Sequence, residues 1–176
     1  MRIVAGELGG RRLTSPPAAA DVRPTPDRVR EAIFSILDDV GDKRVLDLYC
    51  GTGALGIEAI SRGATAGVFV DRDVELVRRN VEGLGIADRC EVVRAGALRF
   101  LRRPGPTFDL IFCDPPYRLA DRLEGDLARL IPPRLAEGGR LILETSARRP
   151  LDLTLPLLDE RRYGEVTVRF HAKGAA

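Results

Sequence analysis

From position 43 onward, short apolar runs alternate with stretches whose apolar positions recur at helical spacing. The runs are Val45-Leu46-Asp47-Leu48-Tyr49, Gly67-Val68-Phe69-Val70-Asp71, Glu91-Val92-Val93, Leu110-Ile111-Phe112-Cys113 and Leu141-Ile142-Leu143, with helices expected near 54–62, 73–84 and 121–131. Strands that alternate with helices predict an α/β fold, a parallel sheet covered on both faces. The tail breaks the alternation: 153–161 and 165–171 read as two strands joined through Tyr163-Gly164, so an antiparallel strand is expected at the end. Upstream, Thr25 and Pro26 read as an N-cap and first helical position. Val29, Ala32, Ile33, Ile36 and Leu37 follow at i, i+3, i+4, i+7 and i+8, which predicts an amphipathic helix over 26–38. At the start, Ile3-Val4-Ala5 and Arg12-Leu13 flank the turn-prone Gly6-Glu7-Leu8-Gly9-Gly10, the pattern of a small β-hairpin. A loop rich in proline and alanine runs to Pro24. The expected organisation is thus an appendage over 1–24 and an α/β domain over 25–176.

Composition narrows the class. A chain of 176 residues, 44% hydrophobic and 31% charged, has the balance of one soluble globular domain. No apolar run approaches the roughly 18 residues of a membrane span, and Glu7 interrupts the N-terminus before a secretory apolar core can form. A cytoplasmic, monomeric protein without membrane or metal partners is expected. Cys50, Cys90 and Cys113 fit neither a disulfide framework nor a zinc spacing, and are expected to be reduced and buried. The single histidine, His171, makes a multi-histidine metal site impossible. Residues 1–30 hold Arg2, Arg11, Arg12, Arg23, Arg28 and Arg30 against Glu7, Asp21 and Asp27. That segment carries +3 and leaves −1 to the rest. Such asymmetry suits either a patch for an anionic polymer or a solvated face.

After the first strand comes Asp47-Leu48-Tyr49-Cys50-Gly51-Thr52-Gly53-Ala54-Leu55-Gly56, a G-x-G-x-x-G between strand and helix. Its glycines permit a tight turn and close backbone approach, beside the unpaired N–H groups of a helix start. A tight turn alone would also use them. Asp71, ending the next strand 20 residues after Gly51, adds a carboxylate placed for ribose hydroxyls, which points to a nucleoside-containing cofactor. Asp47 helps to choose among such cofactors. A pyrophosphate gains nothing from a carboxylate at the loop's mouth, whereas a methionine ammonium pairs with it, which favours S-adenosylmethionine over NAD. The alternative is that Asp47 merely caps the turn.

The fourth strand ends in Asp114-Pro115-Pro116-Tyr117, at the carboxyl edge where open α/β sheets bind ligands. Pro115 biases Asp114 toward extended backbone, and two prolines stiffen a loop that lacks N–H donors of its own. What remains is a cluster of acceptors beside an aromatic ring. An exocyclic amine on a planar base suits it: the acceptors hold the N–H groups while Tyr117 stacks on the base, extruded from any stem it occupied.

Taken together, Asp47 to Gly56, Asp71 and Asp114 to Tyr117 resemble a class I S-adenosylmethionine-dependent amino-methyltransferase. More narrowly, the chain resembles the bacterial 16S ribosomal RNA guanine-N2 methyltransferases over nearly its whole length. The residues that carry this are Arg2-Ile3-Val4-Ala5-Gly6 with Gly9-Gly10-Arg11-Arg12-Leu13, Arg23-Pro24-Thr25 with Arg28-Val29-Arg30-Glu31, and Leu46 to Gly53. The resemblance implies a seven-stranded Rossmann-like sheet and methylation of N2 of guanine 966 in an assembled or partly assembled small ribosomal subunit. It implies catalytic roles for Asp114, Pro115, Pro116 and Tyr117. Pro24, Thr25, Asp47, Tyr49, Gly51, Gly53, Asp71, Arg72, Ala97 and Asp114 would hold the cofactor, and Arg2, Arg11, Arg12, Arg23 and Arg28 would meet RNA phosphates. One departure is Ala95-Gly96-Ala97-Leu98, where many class I enzymes place an acid near the adenine; backbone amides would serve here. DNA adenine-N6 methyltransferases share the D-P-P-Y tetrapeptide, but no sizeable target-recognition insertion is present. A non-enzymatic RNA-binding module explains the arginines and not the two motifs together.

Overall fold

The computed structural model describes residues 1–16 and 25–174. The Val45-Leu46-Asp47-Leu48 stretch is buried on both faces, as a central parallel strand requires, and forms β1 (Arg44–Leu48). It is followed by β2 (Ala66–Asp71), β3 (Cys90–Arg94), β4 (Phe108–Cys113), β5 (Leu135–Ser146), β6 (Leu157–Tyr163) and β7 (Val166–Ala172). Among the described residues these make one seven-stranded sheet in the order β3-β2-β1-β4-β5-β7-β6. The first five strands pair in parallel, and β7 runs antiparallel to both its neighbours. The antiparallel strand is therefore not the outermost one. β7 fills the slot beside β5, and β6, mostly exposed, takes the edge.

Alternation along β1 divides the core in two. Val45 packs with Leu110, Phe112 and Ile142 beneath α1 (Asp27–Leu37), α2 (Ala54–Ser61) and α3 (Glu75–Leu84). Leu46 and Leu48 pack with Ile111, Leu141 and Leu143 on the other face, beneath α4 (Ala97–Leu101) and α5 (Ala120–Leu130). α1, α3 and α5 match their apolar periodicity closely; α2 is buried all round and α4 is too short to show a period.

Three local expectations are corrected. Thr25 does not cap α1: the cap position is Pro26, with no side-chain hydrogen bond, and the Thr25 hydroxyl reaches across the molecule to Glu144. Cys90 is only half-buried, whereas Cys50 and Cys113 are buried. The N-terminal hairpin holds one bridge, Arg2 to Arg12, in place of two strands: Ile3, Gly10 and Leu13 N–H bond across it, while Val4 and Ala5 N–H go to a tertiary partner. The fully buried Glu58 on α2 accepts the N–H groups of Val4 and Ala5 at 2.7 and 3.0 Å. Ser61 accepts from Leu8 N–H at 3.0 Å and donates to Ala5 O at 2.6 Å. Gly6 is obligatory at this contact, since a Cβ would sit 1.8 Å from Ser61 O. Ile3, Leu8 and Leu13 then enter the core beside α1 and α2. The buried Arg30 closes the other end, bonding the Arg2 carbonyl, the Thr25 carbonyl and Asp27.

Candidate active site

The carboxyl ends of β1, β2 and β4 bring the two sequence motifs to one edge of the sheet. Asp47 pairs in register with Phe69 and Phe112, so Asp71 and Asp114 each lie two residues further along the adjoining strands. Between β1 and α2 the chain turns through Tyr49 and Gly51, with φ of +59° and +52°. Glycine adopts this region freely, but a tyrosine there is strained, and its N–H is anchored to Val70 O at 2.9 Å.

The three glycines of the motif serve different ends. At Gly51 a Cβ would meet nothing within 4 Å, so this backbone borders open space. Gly53, with φ +77°, would press a Cβ to 2.6 Å from Val77 Cγ2, and Gly56 to 2.4 Å from the Phe69 ring. Only the first therefore borders a space for a ligand; the others let α2 lie against β2 and α3.

Each carboxylate of this half accepts a backbone N–H. Asp71 Oδ2 accepts from Gly51 at 2.9 Å, and Asp47 Oδ2 accepts from Gly56 at 2.9 Å, in the first turn of α2. Capping is thus one function of Asp47. It is an expensive group for that task alone, because burial pushes its carboxyl up to about 7, against the pull of the Gly56 N–H and with a push from Asp71. A buried acid at the mouth of an open glycine turn fits an ammonium partner, which would restore its charge. The residues present therefore suit the methionine end of S-adenosylmethionine, with Asp71 at the ribose. Gly96, which precedes α4 after β3, lies against the Arg72 guanidinium, whose Nε stands 3.6 Å from a Cβ built on it. This brings Arg72 beside the Ala95-Gly96-Ala97-Leu98 stretch that departs from the usual acid.

The Asp114-Pro115-Pro116-Tyr117 loop, the expected catalytic half, stands beside it. Asp114 follows β4, Pro115 is buried, Pro116 is exposed, and Tyr117 opens a 3-10 turn (Tyr117–Leu119). Burial first, then the charges of Glu144 and Asp47, raise the Asp114 carboxyl well above its ordinary value. Burial also pushes the Cys50 and Cys113 thiols far up and the Cys90 thiol to about 12, so none is a thiolate nucleophile. Among the described residues no group of three or more His, Cys, Asp or Glu side chains is placed to hold a metal ion. No helix among them is long and apolar enough to cross a membrane.

Of the expected RNA residues, Arg2, Arg12 and Arg28 are exposed near the start of α1. Arg2 lies 3.7 Å from Asp27. Arg11 is otherwise employed: its guanidinium donates to Leu84 O and Gly83 O at 3.1 and 2.9 Å, satisfying carbonyls at the end of α3. Arg23 and Pro24 lie outside the described residues. Sequence reasoning missed Glu144, Tyr49's strained turn and Asn80. The buried Asn80 joins Thr14 N–H, at 2.7 Å, to Thr52 O, at 2.9 Å, and so ties the N-terminal strap to the glycine turn. Glu144 had a signal, an acid closing the apolar Leu141-Ile142-Leu143 run just as Asp71 closes β2.

The sheet order and this edge define a class I methyltransferase fold. The family described as Conserved hypothetical protein 95 matches residues 1–172, and the chain belongs to that family. It is 32% identical to Ribosomal RNA small subunit methyltransferase D of Haemophilus influenzae over 181 aligned positions, covering 97% of this chain and 93% of that one. The protein of the same name from Escherichia coli K12 is 37% identical over 121 residues; the match takes in 67% of this chain and 61% of that relative's length. A solved structure described as a putative methyltransferase, yhhF from Escherichia coli, superposes with a TM-score of 0.82 at 30% identity, over 100% of this chain and 99% of that one.

Proposed function

We propose that this protein transfers a methyl group from S-adenosylmethionine to the exocyclic N2 amine of a guanine in 16S ribosomal RNA, guanine 966, within an assembled or partly assembled small subunit. The observation that carries the reading is the meeting, at one sheet edge, of an open glycine turn flanked by Asp47 and Asp71 with the stiff acceptor loop at Asp114. The names of the relatives support RNA of the small subunit as the polymer. In this reading residues 25–176 form the catalytic unit, residues 1–24 are an RNA-facing appendage, and the protein acts as a cytoplasmic monomer.

When bound, S-adenosylmethionine would supply an activated methyl group and leave as S-adenosylhomocysteine, with the proton given up by the amine passing to the Asp114 carboxylate or to water. Asp47 holds the ammonium end and Asp71 the ribose hydroxyls. Thr25 and Pro24 close over the methionine end, while Tyr49, Gly51, Arg72 and Ala97 complete the cofactor cradle and Gly53 lets α2 pack closely behind it. Asp114 and neighbouring carbonyls accept the N2–H bonds, which draws density onto a nitrogen otherwise delocalised into the ring. Pro115 and Pro116 keep that loop rigid, and Tyr117 stacks on the extruded base. Arg2, Arg12, Arg23 and Arg28 meet phosphates, with Arg11 holding the hairpin in place.

The test is incubation of the purified protein with methyl-labelled S-adenosylmethionine and unmodified small subunits, naked ribosomal RNA or duplex DNA, then digestion and identification of the labelled nucleoside. N2-methylguanosine from the subunits is expected. Label confined to adenine in DNA, or no label from any of the three, overturns the reading.

A further inference from the structure

Glu144 has no part in the reaction just described, yet it sits where the base must lie. In β5 it follows Leu143, the register partner of Cys113, so it lies across from Asp114 at the same level of the sheet. It is buried at the end of an apolar run, and Val168 is its partner on β7. Burying a second acid beside Asp114 works against the fold's stability, because each carboxylate raises the cost of ionising the other. The structure also orients it. Thr25 Oγ1 donates to Glu144 Oε2 at 2.9 Å, and the Thr25 carbonyl is itself held by Arg30 Nη1 at 3.3 Å. A locked rotamer of this kind is what a recognition group needs.

The chemistry of the base supplies the use. Guanine carries two adjacent donors along one edge, N1–H and the N2 amine, whereas adenine places an acceptor, N1, next to its amine. Neighbouring carboxylates accept from both guanine positions and repel the adenine lone pair. Resting on the guanine-N2 reading above, we infer that Glu144 determines base specificity by accepting the guanine N1–H while Asp114 holds the N2 amine. A site built to hydrogen-bond a substrate donor discriminates strongly against an analogue that lacks it.

The test uses a base that keeps the reacting amine and loses only the N1–H. Small subunits are assembled with 16S RNA carrying either guanine or 2,6-diaminopurine at the methylated position, and N2 methylation of each is measured as kcat/KM. The wild-type protein is expected to prefer guanine by about tenfold or more. In Glu144→Gln the amide keeps an acceptor for Thr25 and turns its NH₂ toward the N1 lone pair. The preference should fall by about tenfold, with S-adenosylhomocysteine affinity within about twofold of wild type. An unchanged guanine to diaminopurine ratio in Glu144→Gln, with N2 methylation intact, overturns this inference alone. Failure of the wild type to methylate N2 of guanine overturns the function proposed above and this inference with it. Should Glu144→Gln not fold, Thr25→Val loosens the same carboxylate without removing it. A ratio lowered in that variant supports the assignment, and a ratio equal to wild type overturns it.

Discussion

The two halves of the site hold their carboxylates differently. In the cofactor half, Asp47 and Asp71 each accept a backbone N–H from the turn they flank, so the shape of the loop and the position of the acids are one arrangement. In the catalytic half, the charges felt by Asp114 are those of other acids, Glu144 and Asp47. Main-chain donors fix the geometry of these acids and partly offset the burial that still raises Asp47 to about 7. Crowded acids store electrostatic tension that an incoming hydrogen-bond donor relieves. The first half is built to hold, and the second is built to respond.

The sharpest way to break that contrast is at Asp114. Asp114→Ala should lower kcat about 10²-fold or more, with S-adenosylhomocysteine affinity within about twofold, as read by label incorporation and equilibrium dialysis. Comparable losses in both would show that the halves are not separable. In the cofactor half, Asp47→Asn should raise the S-adenosylmethionine Kd about tenfold at pH 8, where the wild-type carboxyl is ionised. With that group raised to about 7 in the ligand-free fold, the wild-type Kd should rise as pH falls through 7 and converge on that of the variant. The sign for stability is opposite. A folded value raised above the unfolded one contributes stability that is present at low pH and lost as pH rises through about 7, so Asp47→Asn should flatten the decline seen in urea titrations across that window.

Packing offers a smaller lever. Gly56→Ala would drive a methyl group into the Phe69 ring and should lower unfolding free energy by about 1–3 kcal/mol, measured in urea, with a loss of cofactor affinity secondary to it. The smallest effects lie outside both halves. Arg12→Gln and Arg28→Gln should each reduce the slope of log K against log salt for RNA binding by about 1, whereas Arg11→Gln, already bonded to the end of α3, should leave the slope closer to that of wild type. Equal slopes for all three would remove this face from the RNA contact.

Much of the fold was legible because its central strands are buried on both faces and its longer helices on one, leaving a near-continuous apolar run in Val45 to Leu48 and a helical period in Val29 to Leu37. Asp47, Gly51, Asp71 and Asp114 were legible for a related reason: each interrupts or closes an apolar run at a strand end, where side-chain chemistry stands out. What stayed hidden depends on contacts distant in sequence. Nothing local to Thr25 announces Glu144, 119 positions away, so a threonine before Pro26 read as a helix cap. Nor does Glu58 reveal that it will hold Val4 and Ala5, or Asn80 that it will join Thr14 to Thr52. The length of β5 was concealed by Glu137, Gly138 and Gly139, which break the apolar run without ending the strand. The positive φ of Tyr49 has no sequence signal, because it is imposed by the turn between β1 and α2.

The placement of β7 bears on how the molecule comes into being. This strand is made after β5 and β6, yet it lies between them. While residues 166–172 are still inside the ribosome, β5 has a bare edge, and Glu144 sits on it opposite the empty place of Val168. During synthesis the glycine turn between β1 and α2 is therefore out of the ribosome well before the strand that covers this edge of β5, and the sheet cannot close until the last strand arrives.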